Sequence, residues 1–252
     1  MLSFSQFELE KSLDNQTLKI EDVIIEPSII YAIKLNSQPI IQFLISNIHS
    51  IVSLAILQNR TQISDKAFQI ISIGHHSIIE AISSSKIMNK IVKDLFSNPN
   101  PSEIALNRLS DILSYVFSAF SKDESESCEY LFLLLKRLDI IGIRNLFISL
   151  FSSHRNLIDA QENFLKMNLI EKMLNELFTI DLTNISFDDF SNPLFLKIES
   201  IYNILESAAY NSIFHRVFIE SSMMNCLLKH ISGPNYVISA QWRVIEAIFS
   251  KL

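Results

Sequence analysis

Three glycines in a chain of 252 residues constrain this sequence more than anything else in it. At the average usage of ~7% there would be roughly 18, and each one missing is a positive-φ position that tight hairpins and phosphate-cradling loops need. The shortage argues against an all-β fold and against a glycine-dependent nucleotide site. Hydrophobic residues make up 48% of the chain and charged residues 19%, so the chain has enough apolar surface to offset its ordering entropy by burial. What remains is a packed, helical protein.

The apolar residues recur at helical spacing. From Pro101, the set Ala105, Leu109, Ile112, Leu113, Val116, Phe117 and Phe120 forms one face of a helix about five turns long. Asn100 is placed to cap it, Pro101 to occupy its first position, and Glu103 to complete a capping box. A second start at Ser121, with Glu124 three residues on, opens a helix through Leu138. Further helices are expected at about 4–14, 28–35, 38–46, 48–58, 63–73, 76–83, 85–97, 140–152, 158–178, 194–210, 213–231 and 236–251. The links are short and polar, as in Ser97-Asn98-Pro99-Asn100 and Ser232-Gly233-Pro234-Asn235. Many short helices on short links predict an all-α fold, an irregular armadillo/HEAT-like helical solenoid rather than a closed bundle. The whole chain, 1–252, reads as a single helical-repeat domain, although no clean period shows. The stretch at about 179–193, with Asp181, Asp188 and Asp189, reads as an acidic loop; it lacks the spacing and turn glycine of a calcium-binding loop.

Charge and chemistry narrow the function. Acidic residues number 27 against 21 basic, a net charge of −6, and no basic run offers a phosphate-binding face, so nucleic acid is not an expected partner. Leu35 to Asn59 carries no charged residue and is long enough to cross a bilayer. It also holds Asn36, Gln38, Pro39, Gln42, Asn47 and His49, so it reads as two short core helices and not as a membrane insertion. Cys128 and Cys226 are the two cysteines, read as free thiols in a reducing compartment. His75 and His76 are adjacent, pointing about 100° apart on a helix, and cannot share a metal as an i, i+4 pair would. No nucleophile elbow, Gly-rich phosphate loop or carboxylate–histidine motif is present, so no catalytic residue, cofactor or metal is assigned and the chain reads as a non-enzyme. The cluster from Ser121 to Glu129 reads as a helix cap with acidic residues in the first turn. The same letters around Ser121, Ser125 and Ser127 also suit an acid-directed kinase.

The helix from Ile140 is apolar around most of its circumference, which marks a central helix. Its only polar strip is Gly142, Asn145, Ser149 and Ser152, with Arg144 beside it, where either a partner or an internal hydrogen-bond network would attach.

The run Leu134-Leu135-Lys136-Arg137-Leu138-Asp139-Ile140-Ile141-Gly142-Ile143-Arg144-Asn145-Leu146-Phe147-Ile148-Ser149-Leu150-Phe151 resembles, without gaps, a segment of the SAPS-domain family, LLKHI-x-TSAIMDLLLRLI. These are regulatory subunits of the type 2A-like serine/threonine phosphatase 6. Ser77-Ile78-Ile79-Glu80-Ala81-Ile82 and Ile91-Val92-Lys93-Asp94-Leu95-Phe96 are similar to two further helices of that family, as is Pro99-Asn100-Pro101 with Leu109-Ser110-Asp111-Ile112 to its proline-rich turn and following helix. Leading helices around Ser12-Leu13, Leu18 to Val23 and Ile40 to Leu44, and a later one at Leu169 to Leu174, fall in the same order. The resemblance covers roughly residues 10 to 180. The family's Asp and Arg, four apart in its segment, are replaced by Asn145 and Ser149, a double loss that strands neither charge. Family members run much longer with acidic tails, so this would be a short divergent member or a piece of one.

The resemblance implies a scaffold that binds a type 2A/6-like serine/threonine protein phosphatase catalytic subunit, directs it to substrates and engages further scaffold subunits. It places the contact at Lys136, Arg137, Arg144, Asn145 and Ser149 and implies the cytoplasm, with the nucleus as a second compartment. The alternative is an armadillo-type adaptor that holds extended peptides or other proteins, unrelated to phosphatases. That mode relies on repeated Trp and Asn along a groove, and Trp242 is the sole tryptophan.

Overall fold

The computed structural model describes residues 19–57, 61–84, 87–119, 128–180, 192–228 and 235–251. Among these the regular elements are 16 α-helices and short 3-10 turns, with no strand. The fold is all-α, a solenoid-like succession in which helices pack on near neighbours in the chain. Two compact units divide it, residues 1–119 and 120–252. The expected helix at 4–14, most of the Ser121–Glu129 cluster, the acidic residues of the 179–193 stretch, His230 and Gly233 lie outside the described residues.

The first unit holds α1 (Ile20–Ile24), α2 (Ile29–Lys34), α3 (Gln38–Ser46), α4 (Ile48–Leu57), α5 (Gln62–Ser72), α6 (His76–Ser84), α7 (Ile87–Phe96) and α8 (Glu103–Ser118). α4 is its centre. Ile48, Ile51, Val52, Leu54, Ala55 and Ile56 are buried around it, packed by α5 to α8, and full burial of each large side chain is worth about 1.5–3 kcal/mol. The charge-free stretch is two helices, as expected, bent by 69° between α3 and α4. Asn47 lies at that bend, its Nδ2 donating to the Phe43 carbonyl at 2.9 Å. No single described helix is long and apolar enough to cross a membrane.

Side chains close the helix ends in this unit. Thr61 and Ser64 form a reciprocal capping box that opens α5. Gly74 takes a φ of +70° in the turn before the histidine-headed α6, a conformation that glycine adopts without strain. Arg108 of α8 donates through Nη1 to the Ala55 carbonyl at 3.1 Å and to Ser64 Oγ at 3.3 Å. It pairs with Asp65 through Nη2 and lies over the Phe68 ring, 5.3 Å from its centroid. One guanidinium thus satisfies a last-turn carbonyl of α4 and joins it to α5 and α8.

α8 starts later than the sequence suggests. Its cap is Ser102, whose hydroxyl accepts from the Ala105 N–H at 3.2 Å, so Pro101 lies outside the helix and Glu103 is its first residue. Asn100 is engaged in the preceding turn, where its N–H donates to Asn98 Oδ1 at 3.0 Å.

The second unit holds α9 (Tyr130–Leu134), which tightens into a 3-10 turn at Leu135–Arg137, then α10 (Ile141–Phe151), α11 (Ile158–Lys166) and α12 (Leu169–Phe178). α13 (Pro193–Tyr210), α14 (Ser212–Ile219), α15 (Ser221–Leu228) and α16 (Asn235–Phe249) follow. The longest, α13, opens on Asn192, whose side chain caps Leu194 N–H at 2.9 Å with Pro193 at the first position. It packs against α10, α12, α14 and α16. Two expected single helices are broken. The 158–178 helix is interrupted where Asn168 turns left-handed, φ 53°. The 213–231 helix is interrupted at Glu220, whose backbone is extended. Asparagine tolerates the left-handed region better than other non-glycine residues, which lets the chain turn there without glycine.

Candidate functional site

Ile140 enters α10 with extended backbone, and the helix buries Ile143, Leu146, Phe147, Leu150 and Phe151 against α11 and α13. That stripe covers one broad face. Its opposite carries Ile141, Asn145 and Ser149, spaced i, i+4, i+8, all exposed, with Ile141 58% open to solvent. The helix is therefore less enclosed than its composition suggests: Ile141 joins the outward strip instead of the core. Gly142 and Ser152, expected in that strip, are half-buried.

The five predicted contact residues separate into two groups. Lys136, on the 3-10 turn before α10, is exposed like Asn145 and Ser149. Arg137 and Arg144 are engaged internally. Arg137 holds Asp139 with two hydrogen bonds, Nε to Oδ1 at 3.1 Å and Nη2 to Oδ2 at 3.3 Å, which stiffens the turn into α10. Arg144 reaches Glu199 of α13 at 3.9 Å, bridging the two helices. The surface offered outward is Lys136, Ile141, Asn145 and Ser149: one cation, one apolar side chain and two neutral hydrogen-bonding groups.

The far end of α10 is anchored by two buried carboxamides. Gln161 Nε2 donates to the Leu150 and Ser152 carbonyls at 2.8 and 2.7 Å. Asn211, from the α13–α14 junction, donates through Nδ2 to the Phe151 and Ser152 carbonyls at 3.1 and 3.2 Å. Both carboxamides are at most 2% exposed. The last carbonyls of a helix need partners when buried, and here they hold the strip's helix in a fixed setting.

Elsewhere, His75 Nε2 lies 3.1 Å from Asn36 Oδ1, and the exposed His76 faces Glu80 at 3.7 Å. Among the described residues no three His, Cys, Asp or Glu side chains gather as a metal-ligand set. Cys128 is buried, its Sγ accepting from Asn163 Nδ2 at 3.8 Å, and Cys226 is half-buried; neither forms a disulfide. Sequence reasoning missed a groove between α11–α12 and α14–α15. The breaks at Asn168 and Glu220 that open it carry no glycine or proline, and the only signal was the exposed acids Glu171 and Glu220 beside apolar runs.

No protein-family profile matches the chain, and no curated protein matches it. Among solved structures, the crystal structure of an engineered protein is similar at 13% identity, over 96% of this chain and 97% of that one, with a TM-score of 0.48. Likeness at that level bears on neither family nor function.

Proposed function

We propose that this chain is a non-enzymatic regulatory scaffold that binds a type 2A-like serine/threonine phosphatase catalytic subunit and brings it to substrates and further subunits. The observation that carries the reading is the exposed strip Ile141, Asn145 and Ser149 beside Lys136, which lies inside the segment with the most continuous SAPS-like resemblance. Of the residues first assigned to the contact, Lys136, Asn145 and Ser149 stay in it and Ile141 joins them. Arg137 and Arg144, held by Asp139 and Glu199, act behind it as positioning residues. A subunit of this kind supplies placement and selectivity while its partner supplies the chemistry. Its expected compartment is the cytoplasm, and the nucleus second.

Affinity capture of the full chain from its own cells, followed by mass spectrometry, tests this. A type 2A-like catalytic subunit should be recovered, and Lys136→Glu with Ser149→Glu should lower recovery about tenfold while leaving the far-ultraviolet circular dichroism unchanged. Capture of transport factors alone would reject the reading in favour of the peptide-holding adaptor. Unchanged recovery with the double variant would reject the placement on α10.

A further inference from the structure

A groove in the second unit takes no part in the surface on α10. α11 and α12 form one wall and α14 and α15 the other, around a cavity of about 190 Å³. Its lining is apolar at the bottom, where Phe164, Leu174 and Met223 are buried and Val217 half-buried. The rim is polar and acidic. Glu171, in the first turn of α12, and Glu220, between α14 and α15, are exposed, and among the described residues the lining includes no Lys, Arg or His. The basic residues nearby are turned elsewhere or stand outside the cavity. Lys172 lies over the Phe132 ring, 4.5 Å from its centroid, while Lys166 and Arg216 are exposed and not among the lining.

Size and charge together select an occupant. Small-molecule and cofactor sites run to roughly 300–1,000 Å³, so this cavity is too small for a nucleotide. An apolar cavity of about 150 Å³ holds a benzene ring, so this one holds a single side chain of Phe or Leu size. A lone apolar anchor in a pocket, ringed by polar groups, is how a peptide segment is commonly held. Two carboxylates on the rim favour cations on either side of that anchor.

We propose that this groove docks a short segment of a partner protein that presents a Phe or Leu side chain flanked by Lys or Arg. The proposal does not depend on the phosphatase reading, which concerns the surface of α10, and each can fail without the other.

The probes are capped, fluorescent nonapeptides with Phe, Leu or Ala at the centre and Lys, Glu or Ser on both sides, titrated against the full chain by anisotropy. Phe- and Leu-centred peptides with Lys flanks should bind saturably, and the Ala-centred or Glu-flanked versions should bind at least about tenfold more weakly. Cys226, half-buried in the lining, should be alkylated more slowly by N-ethylmaleimide in the presence of the tight peptides, with the buried Cys128 as internal reference. Glu171→Lys with Glu220→Lys, both at exposed positions and so tolerated by the fold, should reverse the preference toward Glu flanks. The proposal is overturned by the absence of saturable binding with all of these peptides, or by binding that ignores flank charge in both proteins. A Lys-flank preference that leaves Cys226 equally reactive puts the contact elsewhere and overturns it as well.

Discussion

Asn211 donates through Nδ2 to Gln161 Oε1 at 3.1 Å, joining the two carboxamides that hold the buried end of α10. Asn211 Oδ1 also accepts from the Ile213 N–H at 3.0 Å, so the same residue caps α14. Asn211→Ala should therefore cost about 2–4 kcal/mol, a cap of about 0.5–2 plus carbonyls left without a donor. Gln161→Leu should cost a similar amount. Because they share acceptors, the double variant should lose clearly less than the sum, as read from urea unfolding with each midpoint and slope fitted separately.

Arg108 and Asp65 form an ion pair whose members are unequally placed, with side chains 12% and 59% exposed. Arg108→Met should destabilise the first unit by about 2–3 kcal/mol, because the Ala55 carbonyl and Ser64 hydroxyl lose their donor. Asp65→Asn should change stability by no more than about 0.5 kcal/mol, since an exposed carboxylate in such a pair contributes little. Amide hydrogen exchange at the end of α4 should speed up in the first variant and stay unchanged in the second.

Asn168 is left-handed and starts α12 without a side-chain cap. Asn168→Gly should be tolerated within about 0.5 kcal/mol, whereas Asn168→Val should cost about 1–2 kcal/mol from the steric penalty of its backbone alone. Asn36, also left-handed, should behave differently. Its Oδ1 accepts from Gln38 Nε2 at 3.1 Å and lies 3.1 Å from His75 Nε2, so glycine there removes contacts as well as strain. Thermal unfolding of the three variants separates the cases.

Tyr202 of α13 is 1% exposed, and burial pushes its phenol well above the usual tyrosine range. The folded state thus keeps the proton longer than the unfolded chain, whose phenol titrates near ~10. Stability from this group is complete below that pH and is lost as the pH rises through and beyond it, by at most about 1.4 kcal/mol per pH unit. Tyr202→Phe should flatten that alkaline decline relative to the parent protein, and identical slopes between about pH 10 and 11.5 would falsify the assignment.

Helix identity was largely legible in the chain, because burial follows the apolar period. Ala105, Leu109, Ile112, Leu113, Val116 and Phe117 are all buried on α8, on the face that their spacing defines. The ends were less legible. Asn100-Pro101 looks like a helix start, but the Ser102 hydroxyl two residues later wins by reaching the Ala105 N–H. The breaks at Asn168 and Glu220 were invisible because the apolar period runs through both. At the candidate contact, Asn145 and Ser149 stand out in the sequence as a polar strip, but the same letters suit an internal hydrogen-bond network, and only the packing of α10 shows them exposed. Ile141 does not stand out, since periodicity alone does not tell which of several apolar faces meets a neighbour. The engagement of Arg144 depends on Glu199 on another helix, which no local pattern encodes. The groove draws its lining from four helices, so no single stretch of sequence announces it.

Each buried polar anchor serves one unit: Arg108 bonds within the first, Asn211 within the second. The exposed strip of α10 and the acidic groove both belong to the second. Inherited changes should then sort into two phenotypes. Lesions around Arg108 should lower the amount of protein in the cell while what survives still captures its partners, because modest losses of stability act first on abundance. Lesions around Asn211 should reduce abundance and capture together, since they loosen the helix on which the proposed contact lies.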